Sequence, residues 1–332
     1  MASPSERIPE ASGLVPETVA RGTRIGWRAG RVALLVALMT IVALPFQLLA
    51  IRYRWPLRAT LPVYYHRIAL WLIGVRVRVV GRRAPGRAVL FAANHVSWLD
   101  IPVLGSLIPG CFIAKREVGE WAGFGTLARL QRTIFVDRER RRRASDQNEE
   151  IGARLVDGDD LILFAEGTSS AGDRVLPFKT ALFGVAERLA TPGPDAIYDD
   201  AIYDDGGGNE GAQSGLTVQP VTIAYTAING IPLARATRPR IGWYGDMSMM
   251  PHFTDLLGLG RIAVEVHFHE PVNSRDYASR KTLAAHCERE VRRGLVTGIR
   301  RSARNAAVSG GRGRGGGRRR FSRRHASDIR KP

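Results

Sequence analysis

His95 and Asp100 are the residues of this sequence best placed to do chemistry. They lie in the segment Ala93-Asn94-His95-Val96-Ser97-Trp98-Leu99-Asp100, directly after an apolar run, Ala88 to Ala93, that reads as a buried strand. Five steps of 100° leave the two side chains about 140° apart on one ideal helix, so a single helix cannot bring them together. They can meet if His95 sits on the turn after the strand and Asp100 in the first turn of a following helix. A carboxylate beside an imidazole sets its tautomer and stabilises the imidazolium that forms on proton uptake. His95 is then a candidate general base and Asp100 its partner. A serine or cysteine nucleophile is not required, because a bound alcohol can attack a thioester once it is deprotonated. Taken alone, the pair also has plainer readings. Ser97-x-x-Asp100 fits a capping box, and a histidine at a strand end can be structurally satisfied.

The pair does not stand alone. Asn94 to Asp100 is the first of four blocks. The second is Phe112-Ile113-Ala114-Lys115 with Gly123-Phe124-Gly125, then Thr133-Ile134-Phe135-Val136-Asp137-Arg138. The third is Phe164-Ala165-Glu166-Gly167-Thr168-Ser169-Ser170, followed by Leu176-Pro177-Phe178-Lys179. The fourth is Val218-Gln219-Pro220-Val221. In this order the blocks resemble the glycerolipid acyltransferase family, the relatives of the bacterial 1-acylglycerol-3-phosphate acyltransferases. The resemblance covers residues 60–285. It implies an α/β domain with a mixed sheet flanked by helices. It also implies transfer of an acyl chain from acyl carrier protein or coenzyme A to a lysolipid hydroxyl, with no cofactor.

Each block has a physical reading. Lys115 and Arg138 are cations able to hold an anionic group of acceptor or donor. At Glu166-Gly167-Thr168, Gly167 lets the backbone approach a ligand, and Thr168 offers a hydroxyl and an amide. The resemblance assigns acceptor binding to these three. Pro220 is a candidate for the wall of an acyl groove, although Val218 and Val221 read equally well as core strand. The sequence departs from the family at Ser169. Phosphate-binding members usually carry Arg there, and its loss removes a bidentate phosphate clamp. The variant resembles the branch that acylates lyso-ornithine lipid, whose headgroup has a carboxylate and an amine but no phosphate. Lyso-ornithine lipid is therefore the expected acceptor, with lysophosphatidate the alternative, should Arg174 or Lys179 compensate.

The elements that must position these residues follow from periodicity. Val75, Val77 and Val79 alternate with Arg76 and Arg78, a strand pattern. Further strands are predicted at Cys111 to Ala114, Thr133 to Val136, Asp160 to Phe164, Val218 to Tyr225 and Ile262 to Phe268. Helices are predicted at Arg141 to Val156, Ala181 to Leu189 and Tyr277 to Ile299. Strands alternating with helices point to an α/β domain, here 75–300. Within it, the tandem Ala-Ile-Tyr-Asp-Asp at 196–205 marks a loop insertion over 191–215.

At the N-terminus, residues 1–30 read as a flexible leader and 31–74 as a membrane-embedded helical hairpin. Val32 to Ile51 is almost wholly apolar, and twenty helical residues span about 30 Å, the thickness of a bilayer core. Arg21, Arg24, Arg28 and Arg31 precede it, and Arg52, Arg54, Arg58 and Arg67 follow it. Basic residues balanced on both sides fit a segment that dips and returns, with Pro45 at the bend and Leu61 to Ile73 lying on the membrane beside it. The expected location is the cytoplasmic membrane, with the catalytic domain on the cytoplasmic side.

The net charge is +18. Residues 301–332 hold eleven basic side chains against one acid, so this Arg/Gly-rich tail carries +10 of it. It has too few apolar residues to offset its ordering entropy and is expected to be disordered, with anionic lipid as its partner. Nucleic acid is not the expected partner, because Phe321 is the only aromatic among the tail's basic residues. Cys111 and Cys287 form no spaced framework, which points to a reducing compartment. Gly167-Thr168-Ser169 is not a nucleophile elbow, because Ala171 holds the place of the last glycine. His267 and His269 share a strand face but lack a third ligand at zinc spacing, so no metal site is expected.

Overall fold

A computed structural model describes residues 15–121, 123–136, 144–190 and 215–312. The chain opens with two apolar helices, α1 (Val15–Arg52) and α2 (Leu57–Ile73). Helix α1 runs through Pro45 without a break. The bend expected at Pro45 is instead the turn at residues 53–56, where Arg54 takes a left-handed backbone (φ 54°). The leader expected over residues 1–30 is helical from Val15, and residues 1–14 lie outside the described residues. Gly74 ends α2 in a left-handed conformation, its amide donating to the Leu70 and Trp71 carbonyls. Residues 26–52 form a helix long and apolar enough to cross a membrane. The hairpin turns Leu38, Ile41, Val42 and Phe46 outward, and Trp27 and Trp71 are 75% and 76% exposed. Its other side is tied to the domain. Gln47 donates to the Leu130 carbonyl at 2.7 Å and the Arg58 carbonyl at 3.0 Å, and His66 Nε2 meets Gln131 Oε1 at 2.8 Å.

The domain begins with β1 (Val75–Val80) and β2 (Leu90–Ala93), then α3 (Asp100–Gly105). Next come β3 (Cys111–Lys115), α4 (Phe124–Leu130), β4 (Ile134–Val136) and α5 (Ala144–Val156). They are followed by β5 (Leu161–Phe164), α6 (Gly184–Ala190), the long β6 (Thr217–Ile228) and β7 (Ile231–Pro232). Last are α7 (Met249–Gly258), β8 (Ile262–Phe268), β9 (Val272–Asn273) and α8 (Arg280–Arg312). Each strand expected from periodicity is present. Helix α8 runs beyond Ile299, so residues 301–312 are helical rather than the start of a disordered tail. Arg138, the 191–214 insertion and residues 313–332 lie outside the described residues.

The strands form one mixed sheet in the order β1-β8-β6-β2-β5-β3-β4, with β7 and β9 paired to β6. Strands β6, β2, β5, β3 and β4 run parallel, while β8 is antiparallel to β6. Side chains alternate between the two faces. Phe91, Ala93, Ile162, Val221, Ile223 and Tyr225 join the core beneath α1, α2, α3 and α7. Leu90, Ala92, Leu163 and Val218 join the opposite core, beneath α5, α6 and α8. Parallel neighbours bring their C-terminal ends to one edge of a sheet, where sites form in open α/β folds. Residues following β2, β5 and β3 therefore converge there.

Candidate active site

At that edge the chain leaves β2 and turns into α3. In the turn, His95 Nδ1 donates to Asp100 Oδ2 at 2.8 Å, and the Val96 and Ser97 amides donate to the same oxygen at 2.6 and 2.9 Å. Asp100 is 0% exposed. Its other oxygen, Oδ1, accepts from the Tyr225 hydroxyl at 2.7 Å. All four partners are donors, the arrangement a carboxylate accepts. Asp100 does close the turn into α3, as the capping reading anticipated, but it also holds the imidazole. The Ser97 hydroxyl does not complete a capping box: its Oγ is buried and, among the described residues, has no hydrogen-bond partner.

Because Nδ1 is engaged, the free nitrogen of His95 is Nε2. The ring is half-buried and stacks on Phe164 at 4.0 Å between centroids, 16° from parallel. Phe164 in turn stacks on Phe112. Behind the turn, Asn94 clamps β6, its amide donating to the Ile223 carbonyl and its oxygen accepting the Ile223 amide.

The loop after β5 is laced to the same turn. The Ser170 amide and hydroxyl both donate to the His95 carbonyl, at 3.0 and 3.1 Å. Gly167 adopts φ 72°, a left-handed conformation that a side chain would strain. Thr168 is exposed beside it. Glu166 is 0% exposed and accepts the His95 amide at 3.2 Å through Oε1. Burial pushes its pKa up to about 8, against the smaller opposing effects of the His95 and Leu176 backbone amides. In the fold, the Glu166 side chain is buried under the loop and supports the strand end that carries His95. The Ser169 hydroxyl donates to the Trp243 carbonyl, and the Trp243 amide donates to the Val96 carbonyl at 2.9 Å.

Lys115, at the end of β3, and Lys179 and Arg174, after the third block, are exposed. Pro220 is buried in β6 between Val218 and Thr222. Alternation puts it on the α8 side of the sheet, where the Thr222 hydroxyl donates to the Val291 carbonyl. Pro220, the residue expected to line an acyl groove, is paired with Ala92 and faces the core beneath α8, on the side of the sheet opposite Tyr225. His267 Nε2 is held by Glu265 at 2.6 Å, and His269 Nε2 by the Thr222 hydroxyl at 2.8 Å. The sequence reading missed Tyr225. Only its place in the alternation Val221, Ile223, Tyr225 could have marked it, and that signal reads as core.

The chain is similar to known proteins in sequence and fold. Residues 76–235 fit the family model described as Acyltransferase. The chain is 43% identical over 265 residues to the lyso-ornithine lipid O-acyltransferase of Brucella abortus, covering 79% of this chain and 92% of that one. It is 42% identical over 106 residues to a 1-acyl-sn-glycerol-3-phosphate acyltransferase of Neisseria gonorrhoeae, covering 31% of this chain and 42% of that one. The fold is that of the 1-acyl-sn-glycerophosphate acyltransferase PlsC of Thermotoga maritima, with a TM-score of 0.57 at 22% identity, covering 83% of this chain and 97% of that one. With its sheet, its blocks and a relative of the same extent all in agreement, the chain belongs to the acyltransferase family and is an enzyme of acyl transfer.

Proposed function

We propose that this enzyme acylates the hydroxyl of lyso-ornithine lipid, with His95 as general base and Asp100 as its partner. The observation that carries the chemistry is the 2.8 Å bond from His95 Nδ1 to a buried carboxylate, which leaves Nε2 as the basic nitrogen. Nε2 takes the proton of the acceptor hydroxyl as its oxygen attacks the carbonyl carbon of the acyl thioester. The tetrahedral intermediate collapses with cleavage of the C–S bond. The departing sulfur receives the proton from the imidazolium, which regenerates neutral His95. The donor is acyl carrier protein or coenzyme A carrying the acyl chain.

Two observations support the acceptor. The lyso-ornithine lipid O-acyltransferase matches over 92% of its length, whereas the acylglycerol-phosphate enzyme matches over 42%. Ser169 spends its hydroxyl on the Trp243 carbonyl, where a phosphate-binding member would present a guanidinium. Gly167, Thr168 and Lys115 remain the acceptor-side residues of this reading. Lysophosphatidate is the second reading, favoured by the exposed cations Lys115, Arg174 and Lys179. The α1–α2 hairpin holds the domain at the cytoplasmic face of the membrane. The test offers both lysolipids to the purified full-length enzyme in one assay. Lyso-ornithine lipid should have the higher kcat/KM, and a strong preference for lysophosphatidate would refute the acceptor assignment.

A further inference from the structure

The carboxylate of Asp100 has two unequal ends. Oδ2 takes three donors, and all of them come from the turn that Asp100 itself closes: the Val96 amide, the Ser97 amide and His95 Nδ1. These contacts are local. They do not fix how the turn sits on the sheet. Among the described residues, Oδ1 has one partner from outside the turn, the Tyr225 hydroxyl at 2.7 Å.

Tyr225 is itself firmly placed. It lies on β6, the strand between β2 and β8, and is 3% exposed. The pairing of β6 with β8 shifts register between Tyr225 and Ala227, and a bulge of this kind re-aims a side chain. Its carbonyl accepts from Arg238 Nη1 at 3.0 Å. Arg238 is also buried, and its Nη2 donates to the Leu233 carbonyl at 3.2 Å. Arg238 thus holds the backbone of Tyr225, while the hydroxyl at the far end of the ring reaches Asp100. Burial, and then the Asp100 charge, hold the phenol well above its ordinary pKa, so it stays a donor throughout the working range.

We propose that Tyr225 is a positioning residue for acyl transfer, its hydroxyl anchoring Asp100 to the central sheet so that His95 Nε2 is presented in one orientation. The inference rests on the reading of His95 and Asp100 as the reacting pair. Without the hydroxyl, Oδ1 is a buried carboxylate oxygen with no tether, and the carboxylate can rotate about its last bond. Such rotation trades the oxygen that meets His95 without unfolding the turn.

Tyr225→Phe keeps the ring and removes one oxygen. Losing a hydrogen bond to a charged group should lower kcat about ten- to a hundred-fold, with KM for donor and acceptor within about twofold of wild type. The acid limb of the kcat–pH profile should also move, because the hydroxyl bears on the carboxylate that faces the imidazole. In an Asp100→Asn background the same change should cost little more, since Tyr225 acts through the charge already removed. Ile262→Val, in the same core but on β8, is the packing control. It should lower the melting temperature without lowering kcat. Wild-type kcat in Tyr225→Phe would overturn the proposal. So would a full multiplicative loss in the Asp100→Asn background, or an equal fall in kcat in Ile262→Val. If Asp100→Asn alone is fully active, the His95–Asp100 reading is what has failed.

Discussion

Replacing Asp100 by asparagine separates the charge of this side chain from its shape. The asparagine oxygen in the place of Oδ2 can still accept from Val96, Ser97 and His95. Its amide then faces the Tyr225 hydroxyl, which can turn from donor to acceptor. The fold should therefore lose only about 1 kcal/mol. What disappears is the negative charge opposite a forming imidazolium. One charge-assisted bond accounts for about 1.5–3 kcal/mol, or roughly ten- to a hundred-fold. In a buried hydrogen-bonded pair the loss extends to roughly 10⁴-fold, because the neutral amide no longer fixes which imidazole nitrogen carries the proton. We expect kcat to fall by about 10² to 10⁴, read as thiol release from an acyl thioester with detergent-dispersed lysolipid at saturation. Asp100→Ala differs in kind. It leaves four donors without their acceptor, three of them around one oxygen, at about 1–3 kcal/mol for each that water cannot reach. It should destabilise the protein by several times the asparagine effect. A folded Asp100→Asn enzyme within about threefold of the wild-type rate would refute this account of the pair. So would an alanine variant as stable as the asparagine one.

Three further outcomes follow from the same geometry. Ser169→Arg gives up the bond to the Trp243 carbonyl and adds a guanidinium, so the kcat/KM ratio of lysophosphatidate to lyso-ornithine lipid should rise roughly ten- to a hundred-fold. An unchanged ratio in a competition assay would remove Ser169 from acceptor recognition. Glu166 titrates in the fold at about 8 against an ordinary 4.5, so the folded state holds the proton more tightly. Its contribution is intact below pH 4.5 and erodes as pH rises to about 8, by about 1.4 kcal/mol for each pH step of one between those values. Glu166→Gln mimics the protonated acid and should flatten the fall in denaturation midpoint between pH 5 and pH 8; an identical fall would place the titration elsewhere. Gly105→Ala would set a Cβ 2.4 Å from His66 Cδ2 and displace the ring from Gln131, costing about 1–3 kcal/mol in a thermal melt while activity at low temperature persists. An unshifted melt would mean that the hairpin has room to yield.

Much of the domain was legible because its strands carry their own signal. The run from Ile262 to Phe268 is a strand with the boundaries expected of it, and the apolar segments before His95 and Glu166 are both central strands. The bend at Pro45 was misread. A proline removes one helical hydrogen bond, and that local loss does not show whether neighbouring contacts hold the helix straight. Here Gln47 and Tyr65 grip α1 on either side of the proline, Tyr65 through Thr40. The end of α8 was misread for the converse reason. A polar arginine-rich stretch gives no amphipathic signal of its own, yet Ser302 still reaches β6, its hydroxyl donating to the Thr226 carbonyl at 3.0 Å.

By itself the sequence carried the class of chemistry, through four blocks that resemble the acyltransferase family, and offered His95 and Asp100 as a candidate pair. His95 and Asp100 are five residues apart, and a turn between a buried strand and a short helix is enough to join them. The resemblance also grouped Glu166, Gly167 and Ser169 with them, and in the fold the parallel strands β2 and β5 end at a common edge. Which face each side chain occupies was decided only by the tertiary structure. Pro220 and Tyr225 lie on one strand, five residues apart as well, and strand alternation sends them to opposite sides of the sheet. Only the packing of α3 against the other face shows that Tyr225, 125 residues away in sequence, completes the carboxylate's shell. A hydrogen bond across that separation leaves no pattern in a single sequence, because its geometry is set by the register of β6 between β2 and β8.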